Sequence, residues 1–212
     1  MNNKNQYCEK NIIRVYNDEI KEDKDILILE KNYELLVNSN PVGEFNCTPK
    51  DIRKLVAGHL YFRDMIRSYE DIKNIEVDEQ KQVINVHTGS MVLPVKKVDQ
   101  KNFRLKIRQI QNLMNDFNNR CRMFNMTGAS HAIALADSQE ILYLEEDVSR
   151  LNALEKVIGA VLIDKVDAAD KVLIFSGRIS IEMIKRAQKI QIKMLLAIGA
   201  PTSSAVELAE TS

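Results

Sequence analysis

Cysteine is scarce in this sequence: Cys8, Cys47 and Cys121 are the only three, far apart and without a CxxC pair. An odd, scattered set excludes a disulfide scaffold and fits a reducing compartment. Histidine is as sparse, and neither His59 nor His87 has a partner at metal-ligand spacing, so no metal of its own is expected. Seven glycines and four prolines in 212 residues exclude a collagen-like or low-complexity chain. Neither sign of charge is in excess, thirty Lys and Arg meeting thirty Asp and Glu. The balance therefore argues for neither nucleic acid nor an anionic membrane as partner. No apolar run approaches the length of a membrane span, and the N-terminal stretch holds no apolar segment of signal-peptide length. What is present is an ordinary globular composition, 45% hydrophobic, long enough to bury a sizeable core. A cytoplasmic protein is expected.

The chain changes character near residue 100. Before it, short segments alternate apolar and polar residues as half-buried antiparallel strands do: "NIIRVY" (11–16), "DILILE" (25–30), "YELLVN" (33–38), "VGEFN" (42–46), "IKNIEVD" and "QVINVH". One helix interrupts them, with Thr48 and Pro49 placed as N-cap and first-turn proline and Ile52, Leu55, Val56 and Leu60 as its apolar stripe. After residue 100 the periods lengthen. Phe103, Ile107, Ile110, Met114 and Phe117 predict an amphipathic helix to about residue 120. The strands "EILYLE", "KVLIF" and "KMLLAIG" then alternate with helices over about 149–163, over "SIEMIKRAQKI" and after "APTSS". This predicts an α/β protein, α+β overall. A β-rich N-terminal domain with one helix (1–98) would precede a three-layer α/β domain (99–212).

Three junctions share one logic. "TGASHA" (127–132), "SGRIS" (176–180) and "APTSS" (200–204) each place small residues before a helical run, two of them after a strand. Loops at the carboxyl ends of strands line the ligand crevice of such sheets. Helix starts there offer free N–H groups to a phosphate or carboxylate, although Ser, Thr and Asp are also the commonest ordinary caps. His131, Arg150 and Arg178 stand beside them. In "EEDVSRLNALEKVIG" (145–159), Asp147 reads as an N-cap, and Glu145 and Glu146 suit the positive end of the helix. Arg150 and Lys156 are not explained that way. The basic run Lys96, Lys97, Lys101, Arg104, Lys106 and Arg108 reads as a solvated helix face.

Four ordered segments, "FNMTGASHAIAL", "EEDVSRLNALEKVIG", "SGRISIEMIKRAQ" and "APTSSAVELAE", resemble the formate dehydrogenase accessory sulfurtransferase family, FdhD. The family pattern runs TGG-x-HAAAL, EDVGRHNA-x-DK, SGR-x-x-x-EM and SAPT-x-LAVELA. "EKNYELLVN", "NCTPKDIRKLVAGHL" and "IRSYEDI" are similar to its first domain, so the resemblance spans about residues 25 to 210. It implies a C-terminal domain of cytidine-deaminase-like fold without the deaminase zinc. His131 is indeed followed by Ala-Ile rather than x-Glu, and no P-C-x-x-C exists. It also implies sulfur transfer from a cysteine desulfurase, as a persulfide, to the molybdenum (or tungsten) bis-pyranopterin guanine dinucleotide of formate dehydrogenase, by a homodimer. The cofactor-binding residues it implies are His131, Asp147, Arg150, Asn152, Ser176 and Arg178.

The sequence departs from that family where the sulfur is carried. In "VHTGSMVLPVKK" (86–97), Ser90 stands at the expected persulfide cysteine and Leu93 at a second one. A hydroxyl cannot hold a persulfide. Cys121, flanked by Arg120 and Arg122, reads as a half-buried helical thiol, Cys47 as structural, and Cys8 as part of a frayed N-terminus. Ala129 replaces the second glycine of TGG, Ser149 and Leu151 replace the Gly and His of EDVGRHN, and the chain is expected to be shortened after "AVELAE". Three functions follow: an FdhD-like sulfurtransferase, a non-catalytic relative that binds the cofactor or a partner as chaperone or regulator, or a protein that handles another nucleotide-like ligand in the same cleft.

Overall fold

The computed structural model describes residues 6–89 and 103–211. The expected domain boundary at 98/99 and the Ser90 position lie outside them. Among the described residues the strands form three sheets. The first is a two-stranded ribbon, β1 (Tyr7–Tyr16) paired with β2 (Glu19–Ile28) from Tyr7↔Ile28 to Tyr16↔Glu19. Asn17 and Asp18, at φ 45 and 69, make its two-residue turn, whose twist suits paired antiparallel strands. The ribbon extends well beyond the segments its alternation predicts and leaves Ile13, Val15, Tyr16 and Ile20 exposed near the tip.

The second sheet has the order β4-β3-β6-β5, from β3 (Lys31–Val37), β4 (Asn40–Cys47), β5 (Ile72–Asp78) and β6 (Val83–Thr88). Alternation works here as the sequence predicts. Tyr33, Leu35 and Val37 of β3 and Ile84 and Val86 of β6 point into one core, which α1 (Ile52–Phe62) covers through Leu55, Val56 and Leu60. The start of α1 differs from expectation. Its N-cap is Asp51, in the left-handed region at φ 54 and without a side-chain cap bond. Thr48 is drawn elsewhere: its N–H donates to Asp147, its hydroxyl accepts from the Val148 N–H, and its carbonyl accepts from Lys156.

The third sheet, β10-β9-β7-β8, comprises β7 (His131–Ala136), β8 (Ile141–Asp147), β9 (Val172–Phe175) and β10 (Met194–Ala197). On one face α2 (Ile107–Arg120) packs Leu113 and Phe117 against Ala132, Ala134 and Ile174. On the other, α4 (Arg150–Ile163), α5 (Ile181–Lys189) and α6 (Ser203–Glu210) cover Ile133, Leu135, Leu173 and Phe175. This is the three-layer α/β arrangement that the alternation of strands and helices predicts. One junction is reversed. The run after "TGASHA" is not a helix but β7, a central strand apolar on both faces, which periodicity cannot separate from a buried helix. The helix lies before it, as α3 (Arg122–Thr127), and Gly128 at φ 65 closes it as a left-handed cap.

Candidate functional site

Strand directions bring the key segments to one sheet edge. Because β7 is antiparallel to β8 and β9, and β9 is parallel to β10, the start of β7 meets the ends of the other three. His131, opening β7, pairs in register with Asp147, closing β8. Ser176 follows β9 and is fixed to β7 twice: its N–H donates to the Ala132 carbonyl at 3.0 Å, and its Oγ accepts the Ala132 N–H at 2.9 Å. Gly199 lies so close to the next loop that a Cβ there would stand 2.8 Å from the Arg178 backbone nitrogen. The glycine is needed for the two loops to touch.

At this edge opens a cavity of about 570 Å³. His131, Ser176, Gly177 and Ile198 form one wall, and Asn118, Cys121, Phe124 and Asn125, from α2 and α3, form the other. Arg150 and Arg178 are not in the wall but flank it. A Cβ at Gly177 would lie 3.3 Å from Arg150 Cδ and 3.7 Å from His131 Nδ1, so both side chains close on that glycine. Arg150 is half-buried and Arg178 exposed, and neither guanidinium has a hydrogen-bond or salt-bridge partner among the described residues. Burial and then the Arg150 charge push the His131 pKa below its ordinary value, with Asp147 opposing. Burial and the Arg150 charge thereby disfavour the imidazolium, and a cation without a protein partner among the described residues stands beside the ring, an arrangement that suits an anion.

Asp147 and Asn152 are placed differently: their polar atoms turn to the seam between the two larger sheets. Asp147 is fully buried. Its Oδ1 accepts the Ser149 N–H at 2.9 Å and Asn152 Nδ2 at 3.2 Å, and its Oδ2 accepts Lys156 Nζ at 2.6 Å and the Thr48 N–H at 3.2 Å. Asn152 Nδ2 also donates to the Asn46 carbonyl at 2.8 Å. The N-cap of α4 is Ser149, without a side-chain bond, rather than Asp147. Nor do the neighbouring acids serve the start of α4. Glu145 pairs with Lys54 at 2.6 Å. Glu146 accepts the N–H groups of Met123 and Phe124 at 2.9 and 2.8 Å, and so caps α3 instead. Likewise Glu182 binds Lys185 and Arg186, which leaves Arg178 free of it.

Two of the three thiols are unsuited to attack. Cys47 and Cys121 are buried, and burial pushes each up to about 12, helped by Asp147 for the first and Glu146 for the second. Cys121 Sγ is bonded to the Phe117 carbonyl at 3.1 Å. Cys8, on β1, is partly exposed. His59 is bound to Glu155 at 2.9 Å and His87 is exposed. Of the basic run, Arg104, Lys106 and Arg108 are described and all exposed. The wall from α2 and α3 is not foreseen by the sequence reading. The one signal for it is Gly128, which marks the end of a short helix.

A sequence profile of the FdhD/NarQ family matches residues 28–94 and 90–212. The chain is 28% identical over 228 residues to the sulfur carrier protein FdhD of Bacillus subtilis (strain 168), covering 95% of this chain and 87% of that one. It is 29% identical over 226 residues to the protein of the same name in Geobacillus kaustophilus (strain HTA426), covering 94% and 86%. A crystal structure described as a putative formate dehydrogenase accessory protein from Desulfotalea psychrophila superposes with a TM-score of 0.84 at 20% identity, over 97% of this chain and 89% of the other. That likeness establishes the fold.

Proposed function

Because this chain belongs to the FdhD/NarQ family, we propose that it serves a formate dehydrogenase as an accessory protein of the sulfur-carrier type. Its substrate would be the molybdenum (or tungsten) bis-pyranopterin guanine dinucleotide, and a cysteine desulfurase would supply the sulfur. One observation carries the binding half of this reading: Arg150, without a protein partner among the described residues, closes on Gly177 beside His131 at the rim of the cavity, and the exposed Arg178 follows Gly177 in the same loop. Arginines in that state are ready bidentate partners for diphosphate oxygens. GDP stands in for the dinucleotide end, and its titration into the protein by calorimetry tests the reading. Arg150→Ala and Arg178→Ala should each weaken binding by about tenfold, the size of one lost charge-assisted contact. Unchanged binding in both variants rejects the cleft.

A second reading, the non-catalytic binder, is favoured by the cysteines. The two buried thiols are pushed far from the thiolate that sulfur transfer needs, and Ser90 replaces the expected carrier. Incubation with a cysteine desulfurase and ³⁵S-cysteine separates the two. A label lost on mutation of one cysteine supports the carrier; no protein-bound label leaves cofactor binding, as chaperone or regulator.

A further inference from the structure

We propose that Asp147, with Lys156 and Thr48, is a positioning group for Arg150, acting on the cleft from beneath without touching its ligand. The proposal rests on the anion-cleft reading and goes one step below it. The link from β8 to α4 is two residues long, Val148 and Ser149, and both of its N–H groups are tied down. Val148 donates to Thr48 Oγ1 at 3.3 Å and Ser149 to Asp147 Oδ1 at 2.9 Å. Arg150, the next residue, begins the helix, and its side chain makes no bond to a described residue. Ser149 gives the helix no side-chain cap, so the direction in which Arg150 leaves depends on those two ties.

The carboxylate that holds the turn is itself held. Lys156 and Asp147 have no exposed side-chain surface and lie 2.6 Å apart, and Lys156 also donates to the Thr48 carbonyl at 3.1 Å. A buried ion pair is seldom more stabilising than apolar residues of equal volume, so stability alone gives little reason for one here. What a pair adds is direction. Oδ1 is aimed at the turn because Oδ2 is fixed by Lys156 and by the Thr48 N–H. A segment of the first half of the chain thereby sets the angle of a cationic side chain in the second.

The test uses GDP calorimetry on folded variants, with cooperative unfolding verified for each. Asp147→Leu with Lys156→Met keeps the branching of one side chain and the length of the other and removes both charges and the tie. It should lower GDP affinity about tenfold, like Arg150→Ala. The triple variant should bind no more weakly than Arg150→Ala alone, because groups acting through one residue are not additive. Asp147→Asn with Lys156→Met keeps an acceptor for Ser149 and should recover most of the affinity. Should the apolar pair fail to fold, Thr48→Val removes only the Val148 tie. It should weaken binding in the wild-type background and have no effect in Arg150→Ala. Additive losses in either combination overturn the proposal while leaving the cleft intact. Wild-type protein that does not bind GDP, or an Arg150→Ala variant that binds normally, overturns the cleft reading and this one with it.

Discussion

Gly58 of α1 and Gly159 of α4 lie at a crossing so close that a Cβ on either would stand 1.9 Å from a backbone carbonyl oxygen of the other helix, Glu155 and Lys54 respectively. Two helices that belong to different sheets therefore pack backbone to backbone, and α4 is buried from Asn152 to Val161 as a result. Replacing a helical glycine by alanine ordinarily gains about 1 kcal/mol. Here the clash is with backbone and cannot be relieved by a rotamer, so the sign reverses. Gly159→Ala should cost about 3 kcal/mol or more, the upper end for overpacking. Gly43, where an added methyl would meet nothing within 4 Å, is the control: Gly43→Ala should shift stability by no more than about 0.5 kcal/mol. Urea midpoints measure both, and equal stabilities for the two variants would show that the crossing does not constrain the helices.

The same helix carries a second buried charge cluster. Glu155 accepts Arg186 Nε and Nη2 through Oε1, at 3.0 and 2.8 Å, and binds His59 Nδ1 through Oε2 at 2.9 Å. Arg186 stacks over the Phe62 ring at 3.8 Å. A lysine supplies neither the fork nor the flat face. Arg186→Lys should therefore cost about 1.5–3 kcal/mol, and Arg186→Met about 3–5 kcal/mol because it strands a buried carboxylate. Adding Glu155→Gln to the Met variant should restore part of that loss. A Lys variant as stable as the wild type in urea would contradict the bidentate role.

These clusters show where the sequence is legible. Alternation locates β3 and β6, and helical spacing locates α2 and α5, because each element's own residues decide its buried face. The start of α5 is legible for the same local reason. Thr48 and Asp147 read as caps of their own helices because both have the right chemistry, yet their decisive partnership with each other spans 99 residues of sequence. The strand His131–Ala136 reads as a helix because a central strand loses its alternation. Arg150 and Arg178 are legible as candidates, but that Arg178 is not neutralised depends on Glu182 choosing Lys185 and Arg186.

The thiols should separate in reactivity. Cys47 and Cys121 are buried and pushed up to about 12 by burial, whereas Cys8 is partly exposed on the ribbon. In native protein at about pH 8, near the ordinary thiol pKa, iodoacetamide should modify Cys8 first and leave the other two protected until urea unfolds the chain. Peptide mass spectrometry reads the order. Rapid native labelling of Cys121 would expose a reactive thiol in the cavity wall and revive it as a sulfur carrier.

His131 gives the site a pH dependence whose sign can be worked out. Its folded pKa lies below the unfolded 6.5, first through burial and then through Arg150. At about pH 8 neither state holds the proton, and the histidine does not make stability vary. As pH falls through 6.5 the unfolded chain takes up the proton before the folded one, so stability falls until the folded pKa is passed. Relative to His131→Gln, the wild type should therefore lose stability on acidification from about pH 8 to about pH 5. A bound anion reverses the local balance: it offsets the Arg150 charge and favours the imidazolium. GDP should accordingly raise the His131 pKa and bind with proton uptake. NMR titration of the His131 ring, with and without GDP, measures both effects. A free-protein value at or above that of an unperturbed imidazole would contradict the burial of the ring and, after it, the effect of the Arg150 charge.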